Sequence, residues 1–120
     1  MVLDQYKVSK ELLDKVFNML ELARDTGKLR RGTNEVTKSV ESGVAKFVII
    51  AENVNPPEIV MHLPIICEEK GIPFVVGGTK EELGTLSGIK VSSASVAIEK
   101  LGEAKKIYDE IVKQLKELRK

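Results

Sequence analysis

The segment Gly32-Thr33-Asn34-Glu35-Val36-Thr37-Lys38 concentrates groups suited to recognition rather than to bond breaking. Asn34 offers a donor and an acceptor on one planar amide, and Glu35 can accept two hydrogen bonds from adjacent N–H donors, such as those on a guanine edge. On a helix, Lys38 lies one turn further on and shares a side with Asn34 and Glu35. Gly32 lets the backbone come close to a partner. A helix starting here, with Thr33 or Asn34 as cap, would present free N–H groups and a partial positive charge that favour phosphate. Together these groups make a compact reader of base edges and backbone. They also make a plain helix start after a basic loop, and residue chemistry alone leaves both readings open.

A second candidate is Ile89-Lys90-Val91-Ser92-Ser93, which follows Gly88. Read as a loop, it carries the apolar residues Ile89 and Val91, which either dip into the core or stay exposed to cover a base turned out of its stack. Gly77-Gly78-Thr79-Lys80 superficially resembles a phosphate loop. A Walker motif, however, needs an earlier glycine and a lysine directly after the last one, so that backbone N–H groups can cradle phosphates. The segment reads as a strand-to-helix turn with Lys80 as a candidate phosphate contact.

Catalysis requires a constellation, and none assembles. His62 is the one histidine and sits mid-helix beside Leu63-Pro64, where a packed or hydrogen-bonded role is expected. Cys67 is the one cysteine, which excludes an intrachain disulfide and a CxxC metal site. Its apolar neighbours predict a buried, inert thiol. No nucleophile-elbow pattern occurs. The expectation is a binding protein rather than an enzyme, with no metal and no cofactor. The rival class is a small α/β metabolite- or nucleotide-binding domain that uses the ends of its parallel strands, with the Gly77–Lys80 turn as phosphate contact.

The elements that must position these residues follow from periodicity. After a Ser9 cap, Leu12, Leu13, Val16, Phe17, Leu20 and Ala23 recur at helical spacing, so residues 10–25 form an amphipathic helix ended by Thr26-Gly27. Residues 28–32 read as a basic connector, and 34–42 as a short helix stopped by Gly43. The run 47–51 is apolar and β-branched, as in a strand buried on both faces. Pro56-Pro57 opens a helix carrying Ile59, Val60, Leu63, Ile66 and Cys67, with Pro64 expected to kink or shorten it. Phe74-Val75-Val76 is a second strand, and Thr79 with Glu82 gives a capping-box pattern for a short helix whose end Gly84 and Gly88 bracket. Residues 95–98 form a third strand and 103–119 a last amphipathic helix. Alternating strands and helices predict an α/β chain: a single-domain three-layer α-β-α sandwich with a small mixed, mostly parallel sheet over residues 1–120.

Composition agrees with one domain. At 120 residues and 42% hydrophobic content the chain can bury a core without staples. A net charge of +1 argues against indiscriminate nucleic-acid binding. The charge is uneven, however. Residues 24–46 are basic on balance, with Arg24, Lys28, Arg30, Arg31, Lys38 and Lys46, and the next half of the chain is acidic. That distribution suits contact with few phosphates. Tyr6, Phe17, Phe47, Phe74 and Tyr108 are too scattered for an aromatic stacking platform. The N-terminus lacks a signal-peptide pattern, no apolar run approaches a membrane span, and a free thiol suits a reducing interior. A cytoplasmic protein is expected.

In order and spacing, the Gly32–Lys38 block, Ile49-Ile50-Ala51-Glu52, Pro57-Glu58-Ile59-Val60-Met61-His62-Leu63-Pro64, Cys67–Pro73, Lys80-Glu81-Glu82-Leu83-Gly84, Gly88 and Ser95-Val96-Ala97-Ile98 resemble the family of the archaeal large-subunit ribosomal protein L7Ae. The resemblance runs from about Leu12 to the last helix. It implies an α-β-α sandwich that binds kink-turn and kink-loop RNA. It implies that Asn34 and Glu35 read the guanines of tandem sheared G·A pairs, with Lys38 supporting that contact and the backbone. Arg31 and Gly32 match the basic residue and glycine before the motif, Thr33 lies within it, and Glu58 matches a glutamate that orients nearby basic side chains. Residues 89–94, including Ile89, Lys90 and Val91, match the apolar loop packed over a protruding nucleotide. Some relatives carry arginine and proline where this chain has Val91 and Ser92, so an arginine contact there does not transfer. The implied partners are kink-turns in ribosomal RNA of the large subunit and in guide RNAs. The implied assemblies are the fibrillarin-type methyltransferase particle with its scaffold protein, the pseudouridine synthase particle and ribonuclease P.

Overall fold

The computed structural model describes residues 2–119. A 3-10 turn, Val2–Tyr6, precedes α1 (Lys10–Thr26), β1 (Lys28–Arg31), α2 (Thr33–Glu41) and β2 (Phe47–Ile50). A 3-10 turn, Pro57–Ile59, leads into α3 (His62–Lys70), β3 (Phe74–Val76), α4 (Lys80–Leu86) and β4 (Ser95–Lys100). The turn Gly102–Ala104 and α5 (Lys105–Leu118) end the chain. No helix among the described residues is long and apolar enough to cross a membrane.

The sheet order is β1-β4-β2-β3. Its two sides support separate apolar layers, which confirms the three-layer sandwich. On one side Val16, Met19 and Leu20 of α1, with Ile111 and Leu115 of α5, pack on Phe47, Ile49, Val96 and Ile98. On the other, Val36 and Val40 of α2 and Leu63 and Cys67 of α3 cover Val48, Ile50, Val76 and Ala97. Every residue of β2 is buried, as its continuous apolar run predicts for a strand covered on both faces.

The sheet is mixed, but its pairing corrects the mostly parallel expectation. β2 and β3 pair in parallel, whereas β4 pairs antiparallel with both β1 and β2. Three strands therefore point one way, yet most ladders are antiparallel, because β4 inserts between β1 and β2. Residues 28–31 are not a connector but edge strand β1, in register Leu29↔Ile98, Arg30↔Ala97 and Arg31↔Val96. Four residues, three of them basic, carry too little periodicity to announce a strand, and only pairing with β4 makes them one.

Local stops behave largely as the sequence predicts. Ser9 caps α1 by accepting from Leu12 N at 3.2 Å, and the Thr79–Glu82 capping box is complete. Gly43 follows α2 with φ 76°, a left-handed stop. Two boundaries differ. The segment after Pro56 splits into a 3-10 turn and α3, so Pro64 falls in the first turn of α3, where an N–H has no intrahelical acceptor to lose, and α3 starts late instead of kinking. Residues 102–104 form a 3-10 turn ahead of α5. The end of α4, at Leu86, falls between Gly84 and Gly88 as expected.

Candidate nucleic-acid interface

The start of α2 is built differently from that of α4. Gly32, not Thr33 or Asn34, is its N-cap, at φ 87° and ψ 149°, a region open to glycine. Its N–H is shared between Ser95 O (3.0 Å) and Ser93 Oγ (3.1 Å), while its carbonyl accepts Val36 N at 2.9 Å. No side chain caps the helix. Among the described residues the N–H groups of Thr33, Asn34 and Glu35 have no acceptor. At α4, by contrast, Glu82 accepts Thr79 N (2.9 Å), Asn53 accepts Lys80 N (2.8 Å) and Thr79 accepts Glu82 N (3.0 Å). In the Gly77–Lys80 turn the amides of Gly77, Thr79 and Lys80 thus have protein acceptors. A Cβ on either glycine would strike Leu13 or Phe17 of α1, so those glycines serve close packing rather than phosphate. Of these two helix starts, that of α2 is the one more open to an anion.

Asn34 is exposed, and its side chain has no partner among the described residues. Glu35 is half exposed, with Oε1 3.7 Å from Lys38 Nζ and Oε2 4.0 Å from Arg30 Nη1. Lys38 is more exposed than Glu35, at 75%. Thr33 contributes its carbonyl to Thr37 Oγ1 (2.7 Å), and Thr37 Oγ1 lies 2.8 Å from His62 Nε2. His62 therefore ties α3 to α2 beneath the polar turn, the hydrogen-bonded role expected of it. Glu58 is exposed on the 3-10 turn and makes no hydrogen bond or ion pair among the described residues.

Residues 89–94 connect α4 to β4 beside this turn. Val91 is 70% exposed and Lys90 is exposed, while Ile89 is half-buried. The connection is fixed at several points: Ile89 N donates to Gly84 O (3.0 Å), Ser93 N to Lys80 O (2.9 Å) and Ser93 Oγ to Ser95 O (2.7 Å). Because Ser93 Oγ also accepts Gly32 N, the loop and the α2 start share a hydrogen bond and form one surface. The Lys80 ammonium has no partner among the described residues.

Arg31 is placed differently from Lys38. Its Nε donates to Ser87 O at 2.8 Å, and Nη2 also donates to that carbonyl. Arg24 Nη1 donates to Leu86 O at 3.2 Å. Two guanidiniums thus neutralise the carbonyl end of α4, where a helix favours cations. Arg31 secures the base of the 88–93 loop.

Sequence reasoning passed over several contributors. Gly84 sits where an added Cβ would lie 2.1 Å from Val91 O, so its bare Cα lets the loop seat on α4. A glycine inside a helical pattern is the available signal for such a close approach. Glu99 on β4 is only 8% exposed, and its Oε2 accepts Ser39 Oγ (2.7 Å) while Oε1 faces Arg30 Nε (3.2 Å) and Lys28 Nζ (3.7 Å). Burial pushes this carboxyl up, but the Ser39 and Arg30 hydrogen bonds with the Arg30 and Lys28 charges hold it below its ordinary value. A lone carboxylate ending an apolar strand run is the clue the sequence offered. Burial, and then the Glu68 charge, push the Cys67 thiol up to about 12, which makes it the inert thiol expected.

Fold and surface define a class: a small α-β-α sandwich with an open polar helix start beside a tethered apolar loop. The chain belongs to the Ribosomal protein L7Ae/L30e/S12e/Gadd45 family, whose profile matches residues 14–108. It is similar to the solved structure of the Giardia lamblia 15.5kD RNA binding protein, at 35% identity over 93% of each chain and a TM-score of 0.87. The family expected from the sequence blocks is therefore the one found.

Proposed function

We propose that this protein binds kink-turn and kink-loop RNA and stabilises the bent form. The observation that carries the reading is the uncapped α2 start, with unpaired amides, a free Asn34 amide and the Glu35 carboxylate, joined through Ser93 to an exposed apolar loop. Asn34 and Glu35 would take the guanine edges of sheared G·A pairs, with Lys38 and the helix start meeting phosphate. Val91 and Ile89 would cover the protruding nucleotide, with Lys80 and Lys90 at the rim. Binding the bent RNA better than the open RNA shifts its population without catalysis.

The RNAs proposed are kink-turns of ribosomal RNA in the large subunit and of guide RNAs for 2′-O-methylation and pseudouridylation, with ribonuclease P as a further assembly. In those particles the chemistry would belong to the fibrillarin-type methyltransferase, supported by its scaffold protein, and to the pseudouridine synthase. We place the protein in the cytoplasm and assign it no catalytic role.

The test is a calorimetric titration of a kink-turn RNA and of the same RNA with its sheared G·A pairs replaced by Watson–Crick pairs. Asn34→Ala and Glu35→Ala should each weaken binding to the intact kink-turn by about 1–3 kcal/mol, the scale of a good base-edge contact. Unchanged affinity in both variants would reject the assigned reader. A thermal-shift response to nucleotides but not to kink-turn RNA would favour the metabolite-binding alternative.

A further inference from the structure

We infer that Glu99 is a specificity-determining positioning residue: it holds the Arg30 guanidinium off the Glu35 carboxylate and so keeps that carboxylate open to a base edge. The inference rests on the RNA reading above and extends it to a residue that never touches RNA.

Lys28 and Arg30 alternate along edge strand β1 and share the side of the sheet covered by α2. There they meet Glu99, Ser39, Glu35 and Lys38 around one hollow of about 430 Å³. Arg30 has two carboxylates within reach. Its Nε lies 3.2 Å from Glu99 Oε1, a hydrogen bond, whereas its Nη1 lies 4.0 Å from Glu35 Oε2, beyond hydrogen-bond length. The choice has a physical cause. Glu99 is buried and Ser39 fixes its second oxygen, so its charge demands a cationic partner. Glu35 is half exposed, solvent already satisfies its charge, and a pair with Arg30 gains little there.

A neutral group at position 99 would reverse that choice. Glu35 would become the nearest carboxylate to Arg30, and a guanidinium fork occupies both carboxylate oxygens. Those are the two acceptors that adjacent guanine N–H donors need. Lys28 and Arg30 would also lose their neutralising charge, which increases attraction to any phosphate whatever its sequence. Loss of Glu99 should therefore erode discrimination more than total binding.

The experiment compares affinities for the intact kink-turn and for the Watson–Crick-substituted RNA in the wild type, E99Q, R30A and E99Q with R30A combined. An RNA-free crystal structure of E99Q accompanies it. E99Q should lower the affinity ratio about three- to fivefold, the reach of an exposed ion pair. Adding R30A should restore the ratio, and R30A alone should leave it as in the wild type. In the crystal, Arg30 should lie within hydrogen-bond distance of Glu35. An unchanged ratio in E99Q, a loss that R30A does not restore, a loss in R30A alone, or an Arg30 that keeps its wild-type position would each overturn the inference. A wild-type protein without discrimination would overturn the RNA reading and with it the specificity role, whereas the RNA-free structure still decides whether Glu99 tethers Arg30.

Discussion

Gly84→Ala sets two effects of known size against each other. Within α4, alanine is favoured over glycine by about 0.8–1.0 kcal/mol, so helix propensity alone predicts a more stable protein. The packing argument predicts the opposite. The new Cβ would stand 2.1 Å from Val91 O, 3.0 Å from the Val91 carbonyl carbon and 3.1 Å from Ser92 Cα. These are backbone atoms, so no side chain can swing aside. To reach an ordinary 3.4 Å contact the loop must retreat by about 1.3 Å, and overpacking of this kind costs about 1–3 kcal/mol. The balance is a destabilisation of about 0–2 kcal/mol. The larger consequence is functional. Ser93, held by Lys80 O and shared with Gly32 N, is the point through which the loop is registered to the α2 start. Displacing Val91 and Ser92 should weaken kink-turn affinity by about tenfold, or 1.4 kcal/mol. Urea denaturation and an RNA titration on the same preparation separate the two effects. A variant more stable than the wild type with undiminished RNA affinity would refute the seating of the loop on α4.

Other outcomes follow from the same geometry. Val91→Asp should reduce RNA affinity while thermal unfolding stays within a few degrees of the wild type, because a side chain 70% exposed contributes little to the core; a sharp fall in melting temperature would place Val91 in the core after all. Lys38→Ala should weaken binding to all competent kink-turns alike and lower the slope of log affinity against log salt by about one, as a lost phosphate contact does; sequence-selective loss with an unchanged slope would contradict that role. Cys67, with its thiol pushed up to about 12, should resist alkylation at pH 8 in the folded protein and react on unfolding; rapid labelling under native conditions would show that the α3 layer opens. The Glu99 carboxyl sits below its ordinary value in the fold, so the stability it contributes is fully present above the ordinary glutamate range and is lost as pH falls through the lowered value. An acid unfolding curve identical in wild type and E99Q would contradict that linkage.

The sequence by itself determined the layers and the local grouping of the polar turn. Helical spacing in α1 and α5, the buried run of β2 and the caps at Ser9 and Thr79 are local patterns, and each is carried by side chains a few residues apart. Asn34, Glu35 and Lys38 were legible for the same reason, since one helical turn brings them together whatever else the chain does. Tertiary structure alone decided the rest. Residues 28–31 become a strand because β4, nearly seventy positions later, pairs with them, and that pairing also makes most of the ladders antiparallel. Arg31 precedes Gly32 in the chain, and only the fold brings its guanidinium to the Ser87 carbonyl at the end of α4. Arg30 and Glu99 meet for the same reason, across strands, where no spacing along the chain could show that a buried carboxylate pairs with the cation next to the Asn34–Lys38 turn. Local chemistry is written in short-range order, whereas the partner a charge finally takes depends on which distant strand folds beside it.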